Sequence, residues 1–167
     1  MTPNKGTNEA RRPSQVRPTG PAMPADSDRG STAYLARVRQ GWRRLTPRQA
    51  FDEQQRGAVI VDTRTAEHRA ESANIPGALV IDRTVLEWRL DPTSGASIPD
   101  GPGLDDEVIV VCNEGYASSL AARDLQRLGF HRATDLVGGF RAYAAVGGRV
   151  QKEPTCVATA VPTTVEA

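Results

Sequence analysis

The stretch that most limits the fold is residues 108–128, VIVVCNEGYASSLAARDLQRL. Val108–Val111 is aliphatic and mostly β-branched, the pattern of a buried strand, and it runs straight into Cys112. A short loop follows, Asn113-Glu114-Gly115-Tyr116-Ala117. Ala117, Ala121, Leu125 and Leu128 then recur at the spacing of one helix face, Gly129 stops the helix, and Ser118 or Ser119 is placed to cap its start. A thiol therefore stands where a central strand ends and a helix begins. Loop amides and the positive end of the helix dipole favour an anion there. A cysteine so placed can ionise near neutral pH and act as a nucleophile.

The flanking sequence repeats this strand–helix alternation. Thr46-Pro47-Arg48-Gln49 is a helix start, with Thr46 as N-cap, Pro47 at the first helical position and Gln49 completing a capping box; Gly57 ends the helix. Ala58–Val61 is a buried strand running into Asp62-Thr63-Arg64, and Thr65 caps a short helical turn. Ile75-Pro76-Gly77-Ala78 is turn chemistry, and Leu79–Ile81 is another short strand. Val85, Leu86, Trp88 and Leu90 suit a short helix that Pro92 terminates, with Trp88 in the core. Residues 91–103 form a loop rich in Gly, Pro and Ser. Ala133–Val137 is a last strand, and Gly138-Gly139, read as tight backbone packing, opens a final helix with Phe140, Tyr143 and Ala144 inward. Ahead of all this, Tyr34 or Leu35, Val38 and Trp42 share one face of a short helix that leaves Arg37, Arg39 and Arg43 outside. Short links between alternating elements predict a parallel sheet covered on both faces.

Three segments are expected: a disordered tail over 1–30, a domain over 31–151, and a flexible C-terminal tail over 152–167, both tails rich in Pro and Thr. A formal net charge of +1 gives no reason to expect nucleic acid or an anionic membrane as partner. No apolar run is long enough to span a bilayer, and the N-terminus lacks the hydrophobic stretch of a secretory signal. Cys112 and Cys156 do not make a disulfide framework, so a reducing cytoplasm is the expected compartment.

In order along the chain, Asp62-Thr63-Arg64, Glu67, Ile75-Pro76-Gly77-Ala78, Cys112-Asn113-Glu114-Gly115-Tyr116-Ala117-Ser118, Leu128-Gly129-Phe130 and Leu136-Val137-Gly138-Gly139 resemble the motifs of the single-domain rhodanese family of sulfurtransferases. The resemblance covers about Thr46 to Gly148. It implies a three-layer rhodanese-like α/β fold, a central parallel sheet of about five strands with helices on both faces. It implies an enzyme that moves a sulfane sulfur through a persulfide on Cys112, from thiosulfate or a low-molecular-weight or protein persulfide to a thiol acceptor, with no cofactor and no metal. Partners would be the small donor and acceptor or a protein of sulfur metabolism. Asn113, Glu114, Gly115, Tyr116, Ala117 and Ser118 would form the substrate and persulfide loop, and Asp62 and Arg64 would be structural supports. The sequence departs from the family pattern at Asn74, where His is common, and in the loop, which has Glu114 and neither Arg nor Lys. That charge balance disfavours a doubly negative donor such as thiosulfate and favours a persulfidated thiol.

Other side chains compete for roles. Arg64, Arg89, Arg123 and Arg141 could line an anion pocket, though each is more often a surface charge or half of an ion pair. Tyr116 is either a gate or an exposed loop residue. His68 and His131 lack metal-ligand spacing with either cysteine and read as surface residues. Cys156 could resolve or accept sulfur from Cys112, but its setting favours a bystander thiol. Two other functions remain open. One is a phosphatase, which wants an Arg at the loop's end where this chain has Ala117 and Ser118. The other is a non-catalytic binding or regulatory module on the same scaffold.

Overall fold

The computed structural model describes Ala25 and residues 29–158, so the expected tail over 1–30 lies almost wholly outside the described residues. Helix α1 (Ser31–Val38) precedes α2 (Pro47–Gln55), β1 (Val59–Asp62), α3 (Ala66–Ser72) and β2 (Leu79–Val80). A 3-10 turn, Arg83–Val85, leads into α4 (Leu86–Leu90). Then come β3 (Val108–Val111), α5 (Ala117–Leu128), β4 (Thr134–Asp135), α6 (Gly139–Ala145) and β5 (Cys156–Val157). The strands form one five-stranded sheet in the order β4-β3-β1-β2-β5. Every neighbouring pair is parallel. The three-layer α/β expectation therefore holds.

The two core faces follow from strand periodicity. Val108 and Val110 join Val61, Leu86, Leu90, Ala121 and Leu125 on the side covered by α4 and α5. Ile109 and Val111 join Ile60, Ala50, Phe140 and Tyr143 on the side covered by α2 and α6. All of β3 is buried because both faces are covered, which is why its sequence is continuously aliphatic rather than alternating. The capping box at α2 forms as expected: Thr46 Oγ1 accepts from Gln49 N at 3.4 Å, and Gln49 Oε1 accepts from Thr46 N at 3.0 Å.

Several expectations need correction. The sheet does not stop at residue 151. Leu79 pairs with Cys156 and Val80 with Val157, and Ala158 N donates to Val80 O at 2.7 Å. Asn74 fixes the approach of this segment, its Nδ2 donating to Lys152 O at 2.7 Å. Without the segment β2 would present an open edge. Its Cys156 and Val157 side chains are exposed, so an edge strand there needs no apolar signature and reads as tail. Trp88 is on the surface, 53% exposed, because α4 packs through Leu86 and Leu90 instead. Ala144 is exposed as well, leaving Phe140 and Tyr143 to fill the core from α6. On α5 the inward face is Ser118, Ser119, Ala121, Ala122 and Leu125 rather than the stripe from Ala117 to Leu128. The helix is rotated so that its first turn carries hydroxyls, not methyls, into the protein.

Candidate active site

The loop from Cys112 to Ala117 sits at the C-terminal end of β3, on the first turn of α6. Close backbone approach makes this contact. A Cβ added to Gly139 would lie 2.4 Å from Cys112 O, and one added to Gly115 would lie 2.8 Å from Gly138 N. Both glycines have positive φ, 61° and 81° respectively. The α6 amides then bind the loop carbonyls: Phe140 N donates to Cys112 O at 2.9 Å and Arg141 N to Asn113 O at 3.1 Å. Held there, the loop brings two later amides to the sulfur. Gly115 N donates to Cys112 Sγ at 3.1 Å and Ser118 N at 3.3 Å.

The expected serine cap of α5 does not form. Tyr116 is the N-cap residue and makes no side-chain cap bond. Cys112 Sγ receives the Ser118 amide, the place an N-cap oxygen would normally fill. Ser118 and Ser119 are buried and serve the site instead. The Cys112 thiol, in a residue 8% exposed, donates to Ser118 Oγ at 3.2 Å. Ser118 Oγ in turn donates to Asp135 Oδ2 at 3.1 Å, and Ser119 Oγ donates to the same oxygen at 2.7 Å.

Asp135, fully buried at the end of β4, is neutralised by Arg44, whose Nε and Nη2 donate to Oδ1 and Oδ2 at 2.7 and 2.9 Å. This fork satisfies what would otherwise be a costly buried charge. The backbone beside β4 places Arg44: Leu45 N donates to Asp135 O and Val137 N to Leu45 O. Arg39, at the C-cap of α1, completes the layer under the loop. Its Nε donates to Ser119 Oγ at 3.0 Å and its Nη2 to Gly115 O at 2.7 Å; Arg44 Nη2 reaches the same carbonyl at 3.2 Å.

The rhodanese-like domain family matches residues 46–146, a span that contains the loop, both glycine contacts and Asp135. The chain belongs to the rhodanese-like domain family. Among its relatives, the thiosulfate sulfurtransferase GlpE of Pseudomonas putida is 35% identical over 105 residues, covering 62% of this chain and 86% of that protein. The adenylyltransferase and sulfurtransferase MOCS3 of Arabidopsis thaliana is 33% identical over 94 residues; the match takes in 52% of this chain but only 20% of that protein's length. Of solved structures, a Rhodopseudomonas palustris protein of unknown function, described as a possible tyrosine phosphatase, is 30% identical with a TM-score of 0.67, covering 78% of this chain and 100% of that one. The human single-domain sulfurtransferase is 26% identical with a TM-score of 0.54, covering 63% and 97%.

In this rhodanese-like setting the predicted residues divide clearly. Cys112, Gly115 and Ser118 converge on one sulfur. Asn113 and Glu114 lie on the rim, where Asn113 Nδ2 donates to Glu114 Oε1 at 2.9 Å. Tyr116, 63% exposed, and Ala117 face outward. Asp62 and Arg64 form a buried pair at 2.7 Å; Arg64 also donates to Ser72 Oγ and Ala73 O and lies over the Phe140 ring at 3.6 Å. That ties β1 to α3 and α6 behind the loop. Arg89 is turned to Ala96 O, and Arg123 caps the end of α1 through Val38 O and Gln40 O. Neither binds the loop. Arg141 does approach it, 3.3 Å from Glu114, so the rim is a charge pair rather than a lone negative charge.

Arg39, expected to point outward, Ser119, expected only as a helix cap, and Arg44 and Asp135, not singled out from sequence, are the residues around the loop whose place sequence reasoning missed. One signal was available: Asp135 is a carboxylate inside the short strand Ala133–Val137, and a charge there demands a partner. A hollow of about 350 Å³ between Pro47, Phe51, Tyr143 and Val146 involves none of the loop residues. Among the described residues, no helix is long and apolar enough to cross a membrane.

Proposed function

We propose that this rhodanese-like protein is a sulfurtransferase that carries a sulfane sulfur as a persulfide on Cys112. The supporting observation is the closed loop around Cys112 Sγ, with two amides and a serine hydroxyl within 3.1–3.3 Å. These groups stabilise the negative charge of the Cys112 thiolate. Ser118 carries a single hydroxyl proton. When Cys112 ionises, that proton swings from Asp135 to the sulfur, and Asp135 keeps its bonds from Ser119 and Arg44.

Transfer follows in two displacements. The Cys112 thiolate attacks the outer sulfur of the donor and a new S–S bond forms. The donor's own S–S bond breaks, and its electron pair leaves with sulfite if the donor is thiosulfate, or with a thiolate if it is a small or protein persulfide. A thiol acceptor, as its thiolate, then attacks the outer sulfur of the Cys112 persulfide and regenerates the Cys112 thiolate. No electron acceptor or cofactor enters the balance, and the chemistry suits a reducing, cytoplasmic compartment. The Glu114–Arg141 pair removes the main objection to an anionic donor, because the rim is no longer net negative.

Exposing the protein to thiosulfate and, separately, to glutathione persulfide tests this by mass. One added sulfur atom on Cys112, lost in Cys112→Ser, is expected; no addition from either donor refutes it. Phosphatase activity has one point in its favour, the description attached to the Rhodopseudomonas palustris relative. Against it, Ala117 stands exposed where the loop's Arg would clamp a phosphoryl group, and Arg39 and Arg44 face the outer side of the loop. Cys112-dependent hydrolysis of a chromogenic phosphate ester, without sulfur loading, would reverse the choice.

A further inference from the structure

Arg39 and Arg44 both precede residue 46, where the family match begins. They converge on Gly115 O, at 2.7 and 3.2 Å, and so occupy both of its lone pairs. Arg123 on α5 donates from Nε and Nη2 to Val38 O, at 3.1 and 2.8 Å, and from Nη2 to Gln40 O at 2.8 Å, which fixes the backbone on either side of Arg39. Arg44 is anchored by its fork to Asp135.

The consequence for the loop is geometric. There are no cis peptide bonds among the described residues, so each carbonyl points opposite to the next residue's N–H. Cys112 O and Asn113 O are taken by α6, which turns the Asn113 and Glu114 amides the other way. Gly115 O is taken by the two guanidiniums instead. That bond sets the Gly115–Tyr116 peptide and turns the Tyr116 amide away from them.

We propose that Arg39 and Arg44, supplied from outside the family domain, are positioning residues for Cys112: they orient the Gly115–Tyr116 peptide, and Arg39 places a net positive charge beneath a loop that has none of its own. The inference rests on the nucleophilic role of Cys112. Burial and the Arg44 guanidinium draw Arg39 below the usual arginine value, while Asp135 pulls it back. Geometry links it to the thiol: Arg39 Nη2 holds the carbonyl of Gly115, and the amide of that same residue donates to Cys112 Sγ. The other charged groups around the sulfur balance in pairs. Glu114 of the loop meets Arg141 of α6, Asp135 of β4 meets Arg44, and Asp62 of β1 meets Arg64; Tyr116 is the remaining titratable group on the loop, and the first turn of α5 has no acid. Among the described residues, Arg39 is thus the charge in excess.

Alkylation of Cys112 by iodoacetamide, followed by mass across pH in a Cys156→Ser background, tests this without any sulfur donor. Arg39→Gln is expected to react about tenfold more slowly at neutral pH, with its profile displaced to higher pH, because a lost charge-assisted hydrogen bond is worth roughly a decade or more. Arg39→Lys, which keeps the charge but reaches one of two acceptors, should stay within about threefold of the parent. Arg48→Gln, the same charge change on an exposed α2 side chain, should superimpose on the parent. An Arg39→Gln profile matching the parent overturns the proposal, as does Arg39→Lys reacting as slowly as Arg39→Gln. If Arg39→Gln does not fold, Arg39→Lys carries the test, and a rate about tenfold or more below the parent then overturns it. Failure of sulfur loading leaves these rates untouched, so the two proposals fail separately.

Discussion

The contact between the Cys112 loop and α6 is sharp enough to predict from distances. In Gly139→Ala the new Cβ falls 2.4 Å from Cys112 O and 2.7 Å from both Asn113 C and Asn113 O, where 3.4 Å begins ordinary contact. All three are backbone atoms, so no side chain can swing aside. Relief requires the loop and α6 to part by about 1 Å, which carries the 2.9 Å bond from Phe140 N to Cys112 O and the 3.1 Å bond from Arg141 N to Asn113 O out of hydrogen-bonding range. Two such bonds are worth about 2 kcal/mol net. The backbone at φ 61° adds about 1–2 kcal/mol for a residue with a Cβ. The expected loss is about 3–4 kcal/mol, or roughly 10 °C in Tm for a domain of this size. Gly147→Ala is the matched control: φ is 77°, but nothing lies within 4 Å of its Cβ, so only the backbone cost of about 1–2 kcal/mol applies. Urea unfolding followed by circular dichroism measures both, and Cys112 alkylation well below either midpoint should slow only in Gly139→Ala. Equal losses in the two variants would refute the backbone-to-backbone packing and, with it, the account of why the loop amides face the sulfur.

Two further outcomes follow from other parts of the fold. Burial holds the Tyr143 hydroxyl above the usual tyrosine value while it donates to Arg149 O at 3.0 Å. Its contribution is therefore whole below about pH 10 and lost as pH rises toward the folded value; Tyr143→Phe should be about 1 kcal/mol less stable at pH 7, and the gap should close above pH 10 in urea titrations at the two pH values. Cys156 lies on β5, separated from β3 by β1 and β2. Three strand spacings are about 14 Å, far beyond disulfide reach. Mild oxidation should give no intramolecular Cys112–Cys156 bond by non-reducing mass analysis, and Cys156→Ser should leave sulfur loading unchanged.

Sequence alone determined the parts of this protein that depend on local chemistry. The aliphatic Val108–Val111 run and the Thr46–Gln49 capping box are each written in neighbouring residues, and each stands in the structure as its spacing implies. Cys112 was legible for the same reason, since a strand end, a glycine and a helix start lie within a few residues. Asp62 and Arg64, which the family resemblance implied as structural supports, form a buried ion pair. Tertiary structure decided everything that depends on what comes alongside. Rotation of α5 follows from Asp135, which demands Ser118 and Ser119, and this cannot be seen from the helix's own periodicity. Edge strand β5 is set by its pairing with β2, not by its composition. The charge under the loop comes from Arg39 and Arg44, more than seventy positions before Gly115, as the separations of 76 and 71 residues record. An exposed-looking arginine carries no local sign of the carbonyl it will meet. Hydrogen-bond partners brought together by a parallel sheet are distant in sequence by construction, because every parallel pairing needs a long crossover.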